Sequence, residues 1–286
     1  MLGLSLGPSQ APTTRAVGAR DAALPQIQVQ GLSHRYRTSD GSYVGALEEV
    51  SFAVPAGEVL TVVGPSGCGK STLVHLIAGL IRPRAGTMLV DGQAVRKPGP
   101  DRGVVFQELA ILPWRTVRGN IGHGLEIARR PRSERERIVD EYVELVGLRG
   151  FEERYPHELS GGMKQRVAVA RTLAADPKVI LMDEPFAAVD AQTRITLQEE
   201  LLRISTLTSK TILFVTHSVD EAVFLGDRVL VLTRRPGRVK SIVEVPLPRP
   251  ERSWDGVSGE PRFLEVRERV MRLVRAEIKD AGPGPG

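Results

Sequence analysis

The residues of this chain that could carry out chemistry begin with a glycine-rich segment, GPSGCGKST, at positions 64–72. Its spacing matches G-x-x-x-x-G-K-[ST], the pattern of a phosphate-binding loop. Glycines let successive backbone N–H groups surround phosphates, a lysine reaches the β- and γ-phosphates, and a serine hydroxyl can ligate Mg²⁺. We therefore predict a nucleotide site made of Gly64, Pro65, Ser66, Gly67, Cys68, Gly69, Lys70, Ser71 and Thr72.

Two adjacent carboxylates, Asp183 and Glu184, come directly after the apolar run VILM. Ligands bind at the carboxyl ends of the strands in an α/β sheet, so this position places both acids near the phosphates. We predict that Asp183 holds the Mg²⁺ shell, and that Glu184 accepts a proton from the attacking water or orients it.

A histidine and a glutamine end two further strand-like runs. His217 follows TILFVT on the same predicted sheet edge, where it could hydrogen-bond the γ-phosphate or the attacking water near neutral pH. Gln107 ends the run RGVVFQ, and its amide could touch the metal or the water there. Such a contact would report γ-phosphate occupancy to the residues that follow.

A second glycine-containing segment, LSGGM, occupies positions 159–163 and opens a helical pattern. Ser160, Gly161 and Gly162 would present unpaired N–H groups at the positive end of that helix, which forms an anion site. Because the loop of Lys70 already surrounds one face of the phosphates, we expect this second site to cap a nucleotide held by another copy of the chain.

Strand and helix patterns alternate along the chain. Such an alternation is needed to bring these functional residues to one edge of a sheet. EVLTVVG leads through the phosphate loop into an apolar-periodic helix, and the strand-like runs KVILMDEP and TILFVTH flank the amphipathic segment ITLQEELLRI. This alternation predicts a parallel α/β sheet. Asp91-Gly92 and Pro236-Gly237 predict two hairpin turns.

The segment 108–176 between these strands is predicted to be mainly helical. Ser133 with Glu136, and Ser218 with Glu221, have the spacing of capping boxes, which predicts helix starts at both places. The segment from about 246 to 261 reads as a Pro/Arg/Gly linker before a last helix, and the GPGPG end is expected to be disordered.

Composition limits the class of protein. The 286 residues are 41% hydrophobic and 26% charged, which excludes a wholly disordered or collagen-like chain. No apolar run approaches the roughly 18 residues that span a bilayer, so we expect a soluble or membrane-peripheral protein. The single cysteine, Cys68, suits a reducing compartment and a cytosolic-facing location.

A basic stretch at 234–252 carries six cationic residues against two acidic ones. Such a patch could face anionic lipid or nucleic acid, and an ordinary solvated surface is the open alternative. The cationic residues are Arg234, Arg235, Arg238, Lys240, Arg249 and Arg252.

Taken together, these motifs resemble an ATP-binding-cassette (ABC) transporter ATPase subunit over about residues 26–245. The resemblance implies an α/β fold: a P-loop NTPase core with a mainly parallel sheet, an N-terminal antiparallel β part and an inserted α-helical subdomain. It divides the chain into a flexible tail (1–25), the ATPase domain (26–245, with the helical subdomain at about 108–176), and a linker with a C-terminal helix (246–286).

By this resemblance GPSGCGKST is the Walker A loop and LSGGM is the family signature. VILMDE is the Walker B strand, and Glu184 at its end is the catalytic carboxylate. Gln107 is the glutamine of the Q-loop, and His217 is the switch histidine. Ser71, Gln107 and Asp183 become the Mg²⁺ ligands. Tyr36 falls where the family stacks an aromatic ring on adenine, with a core tyrosine as the alternative. Asp190 falls where a D-loop aspartate crosses the dimer interface.

Two positions depart from the usual family pattern. Met163 replaces the Gln of LSGGQ, and FAAVD has Ala188 and Val189 where the family often has Ala-Leu. Since the anion contacts come from Ser160 and the glycine amides, we expect Met163 to leave nucleotide capping intact.

Shorter stretches, RGVVFQ, LPWRTVRGNI, EPFAAVD and TRRPGRV, are similar to the nitrate, sulfonate and taurine branch of bacterial importers. The resemblance implies a head-to-tail homodimer that binds ATP and Mg²⁺ at the cytoplasmic face of the membrane, with permease subunits and a periplasmic or lipoprotein receptor. Trp114 would line a groove for a permease helix, or would be a core residue.

Other functions stay open on the sequence. One alternative is a different cargo, because related subunits serve the import of pyrimidine, riboflavin or aromatic compounds. Another is an ABC-type ATPase that acts on nucleic acid or the ribosome, which would bind it through the basic stretch. We expect no nucleic acid partner, because Lys70 and Asp183 lie 113 residues apart without heptads and the chain carries one cassette. A small-molecule kinase would not need the signature.

Overall fold

The computed structural model describes residues 25–187, 189–249 and 252–279. The tail predicted over 1–25, apart from Pro25, and the disorder predicted for the GPGPG end lie outside these residues. Within the described part, no helix combines the length and the apolar character needed to cross a membrane.

An antiparallel sheet forms the N-terminal part of the fold. Its strands, in the spatial order β2-β1-β4-β5, are β1 (Ile27–Arg37), β2 (Tyr43–Val54), β4 (Ala85–Val90) and β5 (Gln93–Ala94). The turn between the last two has positive φ at Asp91 (52°) and Gly92 (72°), as a two-residue hairpin requires. The predicted hairpin at this dipeptide is confirmed.

A six-stranded sheet carries the rest of the core, in the spatial order β10-β9-β3-β8-β7-β6. Neighbours from β9 to β6 run parallel, and only β10 runs antiparallel to β9, which confirms the predicted terminal hairpin. The strands are β3 (Val59–Val63), β6 (Arg102–Val105), β7 (Val179–Asp183), β8 (Thr211–Val215), β9 (Arg228–Leu232) and β10 (Val239–Glu244).

Hydrophobic packing covers both faces of this sheet, which explains the nearly continuous apolar runs of its strands. Alternate residues of one strand enter two different cores: Leu181 packs with the antiparallel sheet and helix α1 (Lys70–Ala78), while Ile180 and Met182 pack with helices on the other side. Those helices include α6 (Ala191–Thr208) and α7 (Val219–Leu225).

Five short helical elements connect β6 to β7 and fall inside the predicted helical segment. They are α2 (Val117–Ile121), α3 (His123–Ile127), α4 (Arg132–Leu145), a 3₁₀ turn (Pro156–Glu158) and α5 (Gly161–Ala174). Buried residues of α2, α4 and α5 join the larger hydrophobic core, so these helices pack as one unit on the β6–β7 side of the sheet.

The capping box predicted at Ser133 is wrong. The helix begins at Arg132, and Pro131 occupies the N-cap position with φ −54° and ψ 148°. Proline fixes φ and needs no N–H partner, so it suits the start of the helix better than the following serine does. Glu136 instead accepts a hydrogen bond from Arg132 at 2.8 Å.

Only half of the second capping box forms. The Ser218 hydroxyl accepts a hydrogen bond from the Glu221 N–H at 3.3 Å and so caps α7. The Glu221 carboxylate turns away from the helix start, because it is bound inside the protein by Thr216 and Gln198.

The C-terminal segment packs on the domain instead of forming an open linker. It holds α8 (Trp254–Val257) and α9 (Pro261–Lys279), and the Trp254 ring lies edge-on between Phe224 and Phe263. Phe263 and Val270 are fully buried, or nearly so. The linker prediction for about 246–261 is wrong, because α8 forms there and Leu247 and Val257 are buried. The predicted last helix is confirmed as α9.

The basic stretch does not form one open patch. Arg252 is 7% exposed, and its guanidinium donates to three backbone carbonyls, those of Phe224, Gly226 and Leu247. Burial lowers the pKa of Arg252 to about 10, which still leaves it charged at neutral pH. Arg249 pairs with Asp227 at 3.0 Å, Arg238 with Glu48 at 2.7 Å, and Lys240 with Glu277.

We expect Arg252→Ala to destabilise the protein by about 3 kcal/mol, because three buried carbonyls would lose a charged donor. Urea unfolding followed by circular dichroism measures the effect as a lower midpoint. Arg262→Ala, which removes an exposed arginine at the start of α9, is the matched control. Equal midpoints for the two variants would contradict the structural role of Arg252.

Candidate active site

The phosphate loop follows β3 and ends at the start of α1. Gly69, at the N-cap, has φ 104°, and no side chain caps the helix there, so its first N–H groups stay available. A Cβ on Gly69 would lie 2.7 Å from the carbonyl oxygen of Ala46 and from Leu47 Cδ2. Both the backbone conformation and the close approach therefore require glycine.

Lys70 and Cys68 behave differently within this loop. Lys70 is 7% exposed, and its Nζ donates to the carbonyls of Gly64 (3.1 Å) and Pro65 (3.3 Å). Cys68 is fully buried, and burial raises the pKa of its thiol. A neutral, inaccessible thiol has no part in the chemistry. The Cys68 side chain packs in the hydrophobic core, and only its backbone can take part in binding phosphate.

An open cleft of about 320 Å³ brings several of the predicted residues together. Four lining residues come from outside the phosphate loop. Gln107 and Glu184 were predicted for this site, and Ala46 and Arg235 were not. The lining residues are Ala46, Ser66, Gly67, Gly69, Lys70, Ser71, Thr72, Gln107, Glu184 and Arg235.

Asp183 and Ser71 form the pair expected of a Mg²⁺ site. The Ser71 hydroxyl donates to Asp183 Oδ1 at 3.1 Å, at the end of β7. Burial raises the pKa of Asp183, and the Ser71 hydrogen bond opposes that rise. A hydroxyl, a carboxylate and the Gln107 amide are hard oxygen donors of the kind that Mg²⁺ prefers, so these three residues would be able to hold that ion.

Glu184 is held in an unusual backbone conformation beside His217. Its φ is 45°, in the left-handed region that costs a non-glycine residue about 1–3 kcal/mol. The Glu184 N–H donates to the Val215 carbonyl at 3.0 Å, which holds the residue at the end of β8. Glu184 Oε2 lies 3.2 Å from His217 Nδ1. The structure thus joins the predicted general base to the predicted switch histidine.

The LSGGM segment is separate from this cleft, since none of the lining residues comes from 159–163. Ser160 is the N-cap of α5, and its hydroxyl accepts a hydrogen bond from the Met163 N–H at 3.3 Å. Gly161 and Gly162 form the first turn, and a Cβ on Gly162 would lie 2.7 Å from Thr193 Cγ2. The Met163 side chain is partly buried and packs against the core.

Tyr36 and Asp190 occupy positions at the rim of these two segments. Tyr36 is 39% exposed, so the core alternative is wrong, and its hydroxyl lies 3.2 Å from Thr72 Oγ1 beside the phosphate loop. Asp190 caps α6 by accepting a hydrogen bond from the Thr193 N–H at 3.0 Å, which lowers the pKa of its carboxyl. The same Thr193 lies against Gly162 of α5.

Two polar contacts that support the site were missed on the sequence. Arg171 of α5 donates to the carbonyls of Ala110 (2.8 Å) and Leu109 (3.3 Å), which ties the helix of the LSGGM segment to the chain just after Gln107. An arginine inside a helix gives no sequence signal for a partner 61 residues away.

A buried carboxylate supports His217 from behind. Glu221 is 7% exposed and accepts hydrogen bonds from Gln198 Nε2 of α6 (2.9 Å) and from the Thr216 hydroxyl. Thr216 Oγ1 in turn accepts from the Ser218 N–H at 3.0 Å, so both neighbours of His217 are held. Desolvation raises the pKa of Glu221, although both hydrogen bonds favour the ionised form. On the sequence this residue had the spacing of a capping-box glutamate.

Comparison with known proteins identifies the family. Residues 47–187 match the sequence profile described as ABC transporter. An uncharacterized ABC transporter ATP-binding protein of Methanocaldococcus jannaschii is 52% identical over 262 residues, 92% of this chain and 96% of that protein. The chain therefore belongs to the ABC transporter ATP-binding family, and the predicted ATP-hydrolysing activity coupled to transport is confirmed.

Two relatives whose names state a transported cargo lie in the predicted branch. A nitrate import ATP-binding protein of Synechococcus elongatus is 45% identical, over 82% of this chain and 86% of that protein. A taurine import ATP-binding protein of Roseobacter denitrificans is 42% identical, over 87% of this chain and 93% of that protein.

A solved structure supports the predicted fold class. A dimeric ATP-binding cassette in a post-hydrolysis state, bound to ADP and Pi, superposes with a TM-score of 0.68 at 28% identity and covers 78% of this chain and 100% of that chain. The α/β core with an antiparallel sheet and additional helices is therefore that of an ATP-binding cassette, as predicted.

Glu184→Gln is expected to lower kcat for ATP hydrolysis by about 100-fold or more, since a general base contributes about 10²–10⁴. ATP affinity should be retained, because the phosphate loop is unchanged. Phosphate release and nucleotide titration measure the two quantities. Glu265→Gln, an exposed change on α9 with the same loss of charge, is the control. Undiminished turnover in the cleft variant would disprove the role of Glu184.

Proposed function

We propose that this chain is the ATP-hydrolysing subunit of a membrane importer for a small oxyanion or organic acid, such as nitrate, a sulfonate or taurine. One observation supports the working arrangement above all. The cleft gathers the phosphate loop, Gln107 and Glu184 within one chain but includes no residue of LSGGM. A second copy, arranged head to tail, supplies that segment to the same nucleotide.

In this proposal the residues that line the cleft and those beside it have different roles. The N–H groups of the phosphate loop and Lys70 bind the polyphosphate, and Tyr36 offers its exposed ring to the adenine. Glu184 takes the proton of the attacking water, and His217, 3.2 Å from Glu184 Oε2, orients that carboxylate and faces the γ-phosphate. Ser71, Asp183 and Gln107 would hold Mg²⁺, whose charge neutralises that of the phosphates.

The LSGGM segment completes the proposed site from the partner copy. Ser160 and the amides of Gly161 and Gly162 lie at the N-terminus of the 14-residue helix α5, where positive potential favours the γ-phosphate. Asp190, at the start of α6 and next to α5 through the contact of Thr193 with Gly162, would face the partner in the same interface.

Ser160→Arg is expected to abolish hydrolysis while the monomer keeps its ATP affinity, because a large cation would block the partner's nucleotide and leave the chain's own phosphate loop intact. ATP titration and turnover separate the two effects. Ser160→Ala controls for the lost helix cap, worth about 1 kcal/mol of stability. Equal losses of binding and hydrolysis in Ser160→Arg would argue against capping by a second copy.

The surface proposed for the permease lies around Trp114, which is 71% exposed, so the core alternative is wrong. Buried Asn120 fixes the loop that presents it, accepting from the Leu112 N–H (2.8 Å) and donating to the carbonyls of Leu112 (3.1 Å), Arg115 (3.0 Å) and Thr116 (3.0 Å). A groove of about 270 Å³ lies beside the loop, lined by Thr116, Gly119, Gly122, Glu126, Val139 and neighbouring arginines.

This surface is connected to the nucleotide cleft. Gln107 lies in the cleft, and Arg171 binds the carbonyls of the two residues before Ile111, a few positions ahead of Trp114. A change at the γ-phosphate can therefore reach the docking surface through a short, hydrogen-bonded segment. We infer a peripheral location on the cytoplasmic face of the membrane, with a periplasmic or lipoprotein receptor that delivers the cargo.

We do not favour the nucleic acid alternative, because four of the six cationic residues of 234–252 are buried or paired with a carboxylate. Arg252 is buried, and Arg238, Lys240 and Arg249 are each paired with a carboxylate. A phosphate backbone would need several free cations along one surface.

The test is ATP turnover by the chain assembled with its permease in lipid vesicles, with receptor and one solute at a time. We expect nitrate, a sulfonate or taurine to stimulate turnover. Trp114→Ala should lose this stimulation and weaken assembly by about 2 kcal/mol or more, with unassembled turnover unchanged. Leu207→Ala, another exposed apolar residue, is the control. Stimulation by a pyrimidine or riboflavin alone would overturn the cargo class.

A further inference from the structure

The turn between β9 and β10 lies directly against the phosphate loop. The Gly237 N–H donates to the Ala46 carbonyl at 2.8 Å, and the Gly237 carbonyl accepts from the Glu48 N–H at 2.9 Å. A Cβ on Gly237 would lie 2.1 Å from the Cys68 carbonyl oxygen, so only glycine allows this approach. The turn is thus fixed to β2 and to the phosphate loop at once.

The C-terminal helix holds the same turn from its outer side. Glu277 of α9 accepts hydrogen bonds from the Arg234 N–H at 3.0 Å and from Lys240 Nζ. The Lys240 contact is the main reason that the pKa of Glu277 lies below its usual value. With α9 on one side and the phosphate loop on the other, the turn has a defined position relative to the cleft.

Arg235 is the cationic residue of this turn that faces the cleft. Its Nε donates to the Gly45 carbonyl at 3.0 Å, which directs the guanidinium toward the phosphate loop, where it lines the cleft with Ser66 and Gly67. No carboxylate of the described residues lies within ion-pair distance of Arg235, whereas Arg238 of the same turn pairs with Glu48 at 2.7 Å. One N–H of Arg235 is used, and four donors remain.

We propose that Arg235 binds the polyphosphate of the nucleotide, as a second cation beside Lys70. This inference rests on the proposed function, in which the cleft holds ATP. Lys70 is the other cation of the cleft lining. Glu184 in the lining and Asp183, which is hydrogen-bonded to Ser71, add negative charge to that of a triphosphate, so negative charge remains to be balanced even with Mg²⁺ bound. A planar guanidinium with free donors suits phosphate oxygens, with which it forms short, charge-assisted hydrogen bonds.

The experiment measures displacement of a fluorescent ATP analogue from the full chain by ATP and by inorganic tripolyphosphate, which lacks ribose and base. Arg235→Gln should weaken both competitors about tenfold, since a hydrogen bond to a charged group contributes about 1.5 kcal/mol or more. Arg235→Lys should recover part of this loss. Arg238→Gln removes a charge from the same turn and should leave both affinities unchanged. Thermal unfolding checks that the variants are folded.

The outcomes separate the possibilities. If Arg235→Gln weakens ATP but not tripolyphosphate, Arg235 contacts the ribose or base and the phosphate assignment is wrong. Unchanged affinity for both competitors, or an equal loss in Arg238→Gln, would overturn the proposal altogether. If the cleft of the proposed function were not the ATP site, the result would look different, because Lys70→Ala would then leave the affinity of the chain for both competitors unchanged.

Discussion

The parallel register of β3, β8 and β7 is the constraint on which the active site depends. Val62 pairs with Val215, and Val215 pairs with Asp183, so the three strands end side by side. The phosphate loop, His217 and Glu184 each follow one of these ends. A slip of one residue would turn every side chain of a strand to the opposite face, which would remove Asp183 from Ser71.

Burial on both faces secures that register. Each of the strands β3, β7 and β8 has five residues, and all of them are buried. Their apolar side chains contribute to two separate cores, one on each face of the sheet. Burial of apolar surface stabilises the fold by roughly 25 cal/mol per Å². A misaligned strand would expose several apolar side chains and would lose this stabilisation in both cores. The left-handed conformation of Glu184 is held by the hydrogen bond from its N–H to the Val215 carbonyl, at the end of the buried strand β8.

Contacts distant in sequence join the catalytic edge to the rest of the molecule. Arg171 ties α5 to the segment after Gln107, and Glu221 ties α6 and α7 to the residues around His217. The helix of the LSGGM segment and the helix that begins at Asp190 touch at Gly162 and Thr193. The segments that would contact nucleotide, around Gln107, His217 and LSGGM, are therefore each linked by hydrogen bonds or close packing to another part of the molecule.

Local patterns in the sequence were enough to predict the phosphate loop, the acids after β7, the histidine after β8 and both hairpins, because each depends on residue spacing within about ten positions. They failed at Ser133, where the neighbouring Pro131 is the N-cap residue. They also failed over 246–261, where the irregularly spaced apolar residues did not predict that Trp254 packs on Phe224 of α7.

The sequence by itself thus determined which residues can bind and hydrolyse a nucleotide, and the order of the strands and helices that carry them. Only the tertiary structure decided that the LSGGM segment lies outside its own chain's cleft, that Arg252 is internal, and that Arg235 reaches the phosphate loop. These facts depend on contacts between residues far apart in the chain, such as Gly237 with Ala46 and Arg171 with Ala110, and neither composition nor periodicity encodes such pairings.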